Sequence, residues 1–162
     1  MIKVIQFQPQ YKERVKTLIY LALKELGMTL EDVVPGDLEK ISEVYKDRSR
    51  FFVAILASKV IGTVAIQRVG KKVCKLRRLF ISPEHQGSGI GEELLEIALD
   101  FAKECEFGKV VLASNRKMVR AHGFYEHHGF AKTSEDEKRF YYEKILIEEG
   151  ITAKNLFLSN KR

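Results

Sequence analysis

The residues best placed to do chemistry form a glycine-rich loop, Gln86-Gly87-Ser88-Gly89-Ile90-Gly91, between an apolar strand pattern and a long helical pattern. Because glycine has no Cβ atom, backbone N–H groups in such a loop can approach an anion closely, and the dipole of the following helix favours negative charge. We therefore expect a phosphorylated ligand at this loop. The alternative is a flexible connection with a glycine N-cap, which is common where a loop enters a helix.

Two nucleotide-binding motifs are excluded by the residues around these glycines. A Walker loop ends in Gly-Lys-Ser or Gly-Lys-Thr, but Gly91 is followed by Glu92 and Glu93, so the lysine and the magnesium-binding hydroxyl are missing. A dinucleotide-binding motif that began at Gly87 would need glycine or alanine at Glu92, and it would need to open a βαβ unit. The loop therefore belongs to a different class of anion site.

The elements that position this loop follow from hydrophobic periodicity. Three apolar runs at 51–57, 60–69 and 73–81 are separated by tight turn signals and predict an antiparallel meander. The third run stops at Ser82-Pro83, because proline cannot donate to a sheet. After the loop, an apolar stripe at helical spacing predicts a central helix, and its members are Ile90, Leu94, Ala98, Phe101 and Cys105.

Further elements are predicted on both sides of this segment. Before it lie a strand at 3–7, a helix at 11–26, and a second helix that begins with Asp37 as N-cap and runs to about Lys46. The buried stripe of the first helix comprises Val15, Leu18, Ile19, Ala22, Leu23 and Leu26. After the central helix come a strand at 109–113, a helix at 119–127, and a hairpin of strands at 130–133 and 140–147. We expect one domain over 1–147 and a tail at 148–162 that either docks or frays.

Composition places the chain among ordinary globular proteins. Its 162 residues are 45% hydrophobic and 31% charged, and its net charge of +6 suits an anionic ligand, a nucleic acid or an acidic surface without choosing among them. Cys74 and Cys105 are too few for a disulfide framework and lack metal-ligand spacing. No segment approaches the roughly 20 apolar residues of a membrane span. We expect a reduced, cytoplasmic protein with no metal and no membrane association.

Two motifs together resemble the signature of the GNAT superfamily of N-acetyltransferases. Within 79–91, Gln86, Gly89 and Gly91 match its Gln/Arg-x-x-Gly-x-Gly/Ala element. Further on, the segment that runs from Ala121 through Tyr125 to Phe130 is similar to the family's Tyr-x-x-x-Gly-Phe element. The resemblance covers about 51–144, and the two helices predicted before the meander fit the family's amino-terminal part.

The resemblance implies an α/β (α+β) fold with a mixed, mostly antiparallel sheet of about seven strands, flanked by about four helices, in which the fourth and fifth strands splay apart. It also implies acetyl-CoA as cosubstrate. The loop N–H groups would hold the pyrophosphate, and strand backbone exposed at the splay would pair with the pantetheine arm. The implied cofactor-binding residues are Leu79, Phe80, Ile81, Gln86, Gly87, Ser88, Gly89, Ile90, Gly91, Glu92, Asn115 and Tyr125.

The resemblance further implies two catalytic groups. The backbone N–H of Ile81 would stabilise the oxyanion that forms when an amine attacks the thioester. Tyr125 would act as general acid toward the departing CoA thiolate, and its alternative role is an aromatic ring packed in the core. Ser114 and Asn115 resemble a position that contacts the cofactor arm, and capping of a turn is their alternative role.

The general base is not identified by the sequence. The fourth strand carries Lys75, Arg77 and Arg78, and the fifth carries no carboxylate. A base would therefore come from outside these strands, or a water chain would replace it; the candidates are Glu31, Asp32, Glu84, His85 and His122. Arg77 and Arg78 also hint at an acceptor that carries a carboxylate.

The expected function is transfer of the acetyl group of acetyl-CoA to a primary amine, by direct attack in a ternary complex. The acceptor is a small-molecule or peptide amine, in a pocket built around 28–35 and 133–139. The missing base motivates an alternative, a non-catalytic acyl-CoA-binding regulatory module. A nucleic-acid partner is not expected, because no aromatic–basic interleaving accompanies the basic residues. An edge strand or the apolar tail could pair two subunits into a homodimer.

Overall fold

The computed structural model describes residues 1–33 and 35–146 of the chain. The described strands are β1 (Lys3–Gln6), β2 (Arg50–Leu56), β3 (Lys59–Arg68), β4 (Val73–Ile81), β5 (Lys109–Asn115), β6 (Ala131–Glu135) and β7 (Arg139–Ile145). The α-helices are α1 (Lys12–Glu25), α2 (Ile41–Val44), α3 (Ile90–Glu104) and α4 (Val119–His127). The predicted tail at 148–162 lies outside the described residues.

The seven strands form a mixed sheet in the order β1-β2-β3-β4-β5-β7-β6. The pairs β1–β2, β2–β3, β5–β7 and β6–β7 are antiparallel, whereas β4 and β5 are parallel. The register between β4 and β5 covers three residues of each strand, Val73–Lys75 and Lys109–Val111, although the two strands continue to Ile81 and Asn115. The predicted fold class, a sheet of about seven strands with a splay between the fourth and the fifth, is confirmed.

Contacts divide the chain into two compact units. The first comprises Met1–Gln67 and Leu76–Leu99, and the second comprises Arg68–Lys75 and the residues from Asp100 onward. In the first unit, α1 buries Val15, Ile19 and Leu23 completely, as its periodicity predicts. Leu26, which the same pattern placed on the buried stripe, is 43% exposed because α1 ends at Glu25. A single domain over 1–147 stays a prediction.

The turn between β2 and β3 shows how local sequence fixes register. Ala57 and Ser58 both have positive φ, 49° and 69°, and two successive left-handed residues match the right-handed twist of the strands they join. The apolar runs at 51–57 and 60–69 place the turn at Ser58-Lys59. In the structure, Leu56 pairs with Lys59, so the hairpin turns one residue earlier, at Ala57-Ser58. The three apolar runs that predict the meander form β2, β3 and β4. Burial is continuous through the middle of β2 and β3 and alternates along the first six residues of β4.

The second helix differs from the prediction. Residues Pro35–Glu39 form a 3-10 helix, and α2 is a separate single turn, Ile41–Val44, whose N-cap position is occupied by Lys40. Asp37 therefore does not cap a helix. Its side chain is buried and binds other groups, so an interaction that is remote in the sequence takes the place of the local cap expected from residue type alone.

Candidate functional site

The glycine loop joins β4 to α3 in the first compact unit. A short 3-10 turn, Pro83–His85, follows the strand, and α3 begins at Ile90. Gly87 and Gly89 have φ values of 80° and 89°, which L residues with side chains rarely adopt. A Cβ atom built at either glycine meets nothing within 4 Å. Open space thus lies beside the backbone at both glycines.

The first turn of α3 supplies backbone donors beside this open space. The N–H groups at the start of an α-helix have no carbonyl partner within the helix, and the bond from Glu93 N to Gly89 O, 3.1 Å long, is the first that closes a helical turn here. The N–H groups of Ile90, Gly91 and Glu92 therefore precede the helical ladder. Together with the helix dipole, they make this end of α3 favourable for an anion.

Hydrogen bonds within the loop hold its shape. The hydroxyl of Ser88 donates to the carbonyl of His85, and the amide of His85 donates to the carbonyl of Ser82 at 2.9 Å. The side-chain amide of Gln86 donates to the carbonyl of Ile81 at 3.3 Å, which ties the loop back to the end of β4. In this structure, Gln86 and Ser88 therefore shape the loop through their side chains.

A third glycine, which the sequence analysis did not single out, seats α3 against the sheet. A Cβ atom at Gly62 in β3 would lie 2.8 Å from Cδ1 of Leu94 and 3.4 Å from Cγ2 of Ile90, both on α3. The same atom would lie 3.3 Å from Cδ1 of Ile81. Gly62 thus permits a close approach of the helix that begins at the loop. Because Gly62 lies inside an apolar run, the sequence gives no signal that a helix approaches it closely.

The strand that leads to the loop is turned at Arg78. Arg78 has a φ of 58°, a left-handed conformation inside a strand, which costs about 1 to 3 kcal/mol for a residue with a side chain. Such a residue interrupts the extended geometry and is expected to bend the strand as a β-bulge does, so we refer to this position as the bulge. The residues after it, Leu79, Phe80 and Ile81, are each half-buried, whereas burial alternates along the strand before it. The amide of Ser82 then donates to the carbonyl of Ile61 in β3 at 2.8 Å. The predicted pantetheine-binding residues thus follow directly after the bulge.

Arg78 does not offer its charge to an acceptor. Its Nε donates to Oδ2 of Asp37 at 3.1 Å, its Nη2 pairs with Oδ1 of the same carboxylate, and both side chains are only 4% exposed. The hint that Arg78 binds an acceptor carboxylate is therefore wrong, because an internal carboxylate already neutralises it. Arg77 lies 3.5 Å from Asp37 Oδ1 and also donates to Gln67 Oε1 at 3.0 Å.

Tyr125 lies on α4, in the second compact unit. It is buried, and its ring contacts those of Phe124, Phe130 and Tyr142 at centroid distances of 5.8, 5.7 and 6.1 Å. Burial raises the pKa of the Tyr125 hydroxyl above its ordinary value. Its phenol therefore stays protonated at neutral pH, as a general acid requires, and the aromatic packing that was its alternative role is also present.

The strand residues Ser114 and Asn115 are engaged within the second unit. Oδ1 of Asn115 accepts the amide N–H of Lys117 at 2.9 Å, so this side chain caps a turn, and the Ser114 hydroxyl lies 3.9 Å from the sulfur of Met118. The alternative of turn capping is thus seen for Asn115. Contact of either residue with a cofactor arm stays a prediction.

The candidate bases differ in their exposure and in whether their side chains are hydrogen-bonded. Asp32 accepts the amide N–H of Thr29 at 2.8 Å, which is the geometry of a cap. Glu31 and Glu84 are exposed. Among the described residues, His85 has a buried Nδ1 without a hydrogen-bond partner.

His122, the candidate base in the second unit, is buried. Its Nε2 lies 3.0 Å from the carbonyl oxygen of Asn115, and its ring packs against Phe140 at a centroid distance of 4.7 Å. One ring nitrogen is thus engaged by the backbone. The identity of the base stays open.

Two features are absent from the described residues. They contain no group of three or more His, Cys, Asp or Glu side chains arranged to hold a metal ion. No helix in the same part of the chain combines the length and the apolarity needed to cross a membrane.

A model of the acetyltransferase (GNAT) family matches residues 17–130. N-acetyltransferase 8B from Homo sapiens is 31% identical over 125 residues, which are 73% of this chain and 55% of that protein. N-acetylaspartate synthetase from Xenopus tropicalis is 32% identical over 114 residues, 68% of this chain and 42% of that protein. The chain thus spans about half the length of the curated relatives it matches.

Solved structures share the fold over most of the chain. An acetyltransferase from Streptococcus agalactiae superimposes with a TM-score of 0.82 at 25% identity and covers 90% of this chain and 98% of its own. The PaiA N-acetyltransferase from Thermoplasma acidophilum, solved in complex with coenzyme A, has a TM-score of 0.78 at 21% identity, with coverage of 90% and 99%. These superpositions show that the described fold is shared with solved acetyltransferase structures.

Proposed function

The chain belongs to the GNAT acetyltransferase family, and from that premise we propose that it transfers an acetyl group from acetyl-CoA to a primary amine by direct attack in a ternary complex. The observation that carries this proposal is the pair of left-handed glycines beside open space at the start of α3. Two negatively charged phosphates need close backbone donors and the positive end of a helix, and this loop offers both. The coenzyme A bound to PaiA, whose fold is similar, supports the same cosubstrate here.

The loop and the strand before it have separate tasks in this proposal. The N–H groups from Gly87 to Glu92 bind the pyrophosphate, and the backbone of Leu79 and Phe80 pairs with the pantetheine arm. The N–H of Ile81 donates to the thioester oxygen, on which negative charge grows as the amine attacks. When bound, acetyl-CoA supplies the activated acyl group, and these residues hold its carbonyl in place.

Bond changes in the transfer are balanced by two proton movements. The neutral amine forms a C–N bond to the acetyl carbon, the C–S bond breaks, and Tyr125 gives its proton to the departing sulfur. The attacking nitrogen loses one proton to a base or to water. Because an alkylammonium with a pKa near 10 has no free lone pair, the rate should rise with pH until the base that accepts this proton is deprotonated and the amine is neutral.

The acceptor is proposed at the level of class. N-acetylaspartate synthetase is named for the acetylation of an amino acid, and 68% of this chain aligns with it. We therefore place amino acids first in a panel of acceptors, followed by polyamines, aminoglycosides and peptide amino termini. Arg77, the half-buried guanidinium that Asp37 only partly neutralises, keeps a carboxylate-bearing acceptor in the panel.

Release of CoA thiol from acetyl-CoA across this panel tests the proposal. Thiol release that depends on one amine class, with a matching acetylated product by mass spectrometry, supports an enzyme. In an active protein, Tyr125→Phe should leave CoA affinity unchanged and lower kcat by about 10² to 10⁴, the contribution typical of a positioned acid. A Tyr125→Phe variant with full kcat would remove this residue from the mechanism.

A second candidate function, a non-catalytic acyl-CoA-binding module, is favoured by one observation: neither β4 nor β5 carries a carboxylate that could serve as base. Tight CoA binding by calorimetry, without thiol release for any amine in the panel, would support this candidate. It would also overturn the proposed transferase.

A further inference from the structure

Asp37 lies at the centre of a buried polar group in the first compact unit, which we call the Asp37 cluster and which comprises Asp37, Tyr45, Arg77 and Arg78. The carboxylate of Asp37 accepts two hydrogen bonds from Arg78 and one of 2.5 Å from the hydroxyl of Tyr45. Arg77 lies 3.5 Å away on the same side. The proposed function assigns no role to this carboxylate, and the Asp37 side chain is only 4% exposed to solvent.

The cluster holds a residue whose backbone conformation is unfavourable by itself. Arg78 is left-handed in the middle of β4, and such a residue persists only where its surroundings fix it. Its carbonyl oxygen accepts the hydroxyl of buried Thr63 at 2.7 Å, and its Nη1 donates to the carbonyl of Val33 at 3.1 Å. Its Nε and Nη2 both donate to the carboxylate of Asp37. Arg78 is therefore held through both its main chain and its side chain.

The conformation at Arg78 sets the direction of the chain that follows. A bulge bends its strand and re-aims the groups beyond it. The groups beyond this one are the N–H and C=O of Leu79, Phe80 and Ile81, which the proposed function assigns to the pantetheine arm and the thioester oxygen. A small rotation at Arg78 would displace the N–H of Ile81 from the position where charge develops, and misplacement by about 1 Å can cost 10²-fold in rate.

Resting on the proposed transferase function, we propose that Asp37 is a positioning residue for acetyl transfer: by binding Arg78 it fixes the bulge in β4 and so aims the backbone N–H groups of Leu79 to Ile81. Tyr45 assists by donating to the same carboxylate. The cluster thus connects the 3-10 segment Pro35–Glu39 to the strand that is expected to bind the cosubstrate.

The charge state of the cluster agrees with this role. Burial raises the pKa of Asp37, but hydrogen bonds from Arg78 and Tyr45 together with the nearby guanidinium charges lower it by more, so its pKa lies below the ordinary value. Asp37 is therefore ionised at neutral pH. It is a poor general base, because its pKa is lowered and both of its carboxylate oxygens already accept hydrogen bonds from Arg78 and Tyr45. Burial, followed by the charge of Asp37, raises the pKa of Tyr45, so this hydroxyl remains a donor.

The experiment compares Asp37→Asn with a matched control, Glu39→Gln. Both replace an acid by its amide within Pro35–Glu39, but Glu39 is 60% exposed and pairs only with Lys12 and Lys16 among the described residues. We expect Asp37→Asn to lower kcat about 10- to 100-fold and to leave KM for acetyl-CoA within about threefold, because the pyrophosphate loop is unaltered. The control should keep both constants. A role in stability alone would leave kcat per folded molecule unchanged.

A milder variant keeps the proposal testable if Asp37→Asn fails to fold. Tyr45→Phe removes one hydrogen bond to Asp37 and keeps the ion pair with Arg78, so kcat should fall by about 3- to 10-fold, a loss in the range of one typical intramolecular hydrogen bond. Wild-type kcat in folded Tyr45→Phe, when Asp37→Asn cannot be purified, would overturn the proposal.

NMR tests the positioning role of Asp37 independently of the proposed transferase function. By NMR, Asp37→Asn or Tyr45→Phe should shift the amide resonances of Leu79, Phe80 and Ile81 and speed their hydrogen exchange, while Glu39→Gln leaves them unchanged. If wild type releases no thiol with any amine, the transferase function fails and these amides still decide whether the cluster holds the strand. Unperturbed amides together with wild-type kcat in Asp37→Asn would overturn the positioning role.

Discussion

The glycine loop and the Asp37 cluster lie in the same compact unit, but the loop is exposed, whereas the carboxylate–guanidinium pair of the cluster is buried. In the loop, residues 86–89 are exposed, and a Cβ atom at Gly87 or Gly89 would meet nothing within 4 Å. In the cluster, Asp37 and Arg78 are 4% exposed and bonded to each other. The loop keeps donors available for a ligand, whereas the cluster satisfies its donors internally.

This difference predicts what substitutions will do in each region. A change in the loop should impair binding with little effect on folding, because few internal contacts depend on the altered side chain. A change in the cluster should lower the free energy of unfolding, because it leaves a buried charge without its partner.

Replacement of Gly89 by glutamate should have the largest effect, on cosubstrate binding. The added carboxylate enters the space assigned to the pyrophosphate, and like-charge repulsion of several kcal/mol weakens CoA affinity at least about 100-fold. Gly27→Glu is the matched control, since Gly27 has a φ of 70° and equally open surroundings in the turn after α1. Calorimetric titration with CoA should show wild-type affinity for the control. Equal affinities for the two variants would remove the loop from the site.

Asp37→Asn should have the largest effect on stability. Breaking a buried ion pair typically costs about 3 to 5 kcal/mol in the free energy of unfolding, measured by urea denaturation at pH 7. Because the fold lowers the pKa of Asp37 below its ordinary 3.8, its stabilisation is complete above that pH and is lost as the pH falls through the folded-state pKa. The difference in the free energy of unfolding between wild type and Asp37→Asn should therefore become smaller at acid pH. If this difference stayed constant down to pH 2, the claim that an ionised Asp37 stabilises the fold would be contradicted.

Gly62→Val should cost about 1 to 3 kcal/mol, the usual penalty for overpacking a well-filled core. The first added atom would already lie 2.8 Å from Leu94 Cδ1, and the whole side chain must displace Ile90 or Ile81 as well. Urea denaturation measures the loss, and Gly62→Ala should lose less because only the ends of flexible side chains have to move. Wild-type stability in Gly62→Val would show that α3 is not closely seated on β3.

The smallest effect is expected at an exposed ion pair of the same chemical type. Glu135 binds Arg116 and Lys132, but its side chain is 45% exposed and that of Arg116 is 40% exposed. Solvent screens such pairs, so Glu135→Gln should leave the urea midpoint near that of wild type, in low salt and in 1 M salt alike. A loss comparable to that of Asp37→Asn would show that burial is not what distinguishes the two arginine–carboxylate pairs.

Much of the fold could be predicted from the sequence because its signals are local. The apolar stripe of α3, the meander of β2 to β4 and the glycines of the loop depend on the spacing of neighbours, and the structure places each close to its predicted position. The resemblance to a known family added the mixed sheet and the splay between the fourth and fifth strands, which no local pattern indicates. The parallel pairing of β4 and β5 was found in the structure. The roles assigned to Ile81 and Tyr125 stay predictions.

The misjudged features depend on contacts remote in the sequence. Asp37 has the residue type of an N-cap, but its partner Arg78 is 41 residues away, and the buried pair outweighs the local preference. The left-handed conformation of Arg78 has no local signal either, because arginine does not favour it. Gly62 looks like any small residue in an apolar run until α3 is placed over it.

A crystal structure of the protein with coenzyme A bound would test the central claim, that the loop at the start of α3 holds the pyrophosphate, most directly. We predict diphosphate oxygens about 3 Å from backbone nitrogens between Gly87 and Glu92, within hydrogen-bonding distance. A complex in which the diphosphate is bound elsewhere, with these nitrogens facing solvent, would contradict the claim.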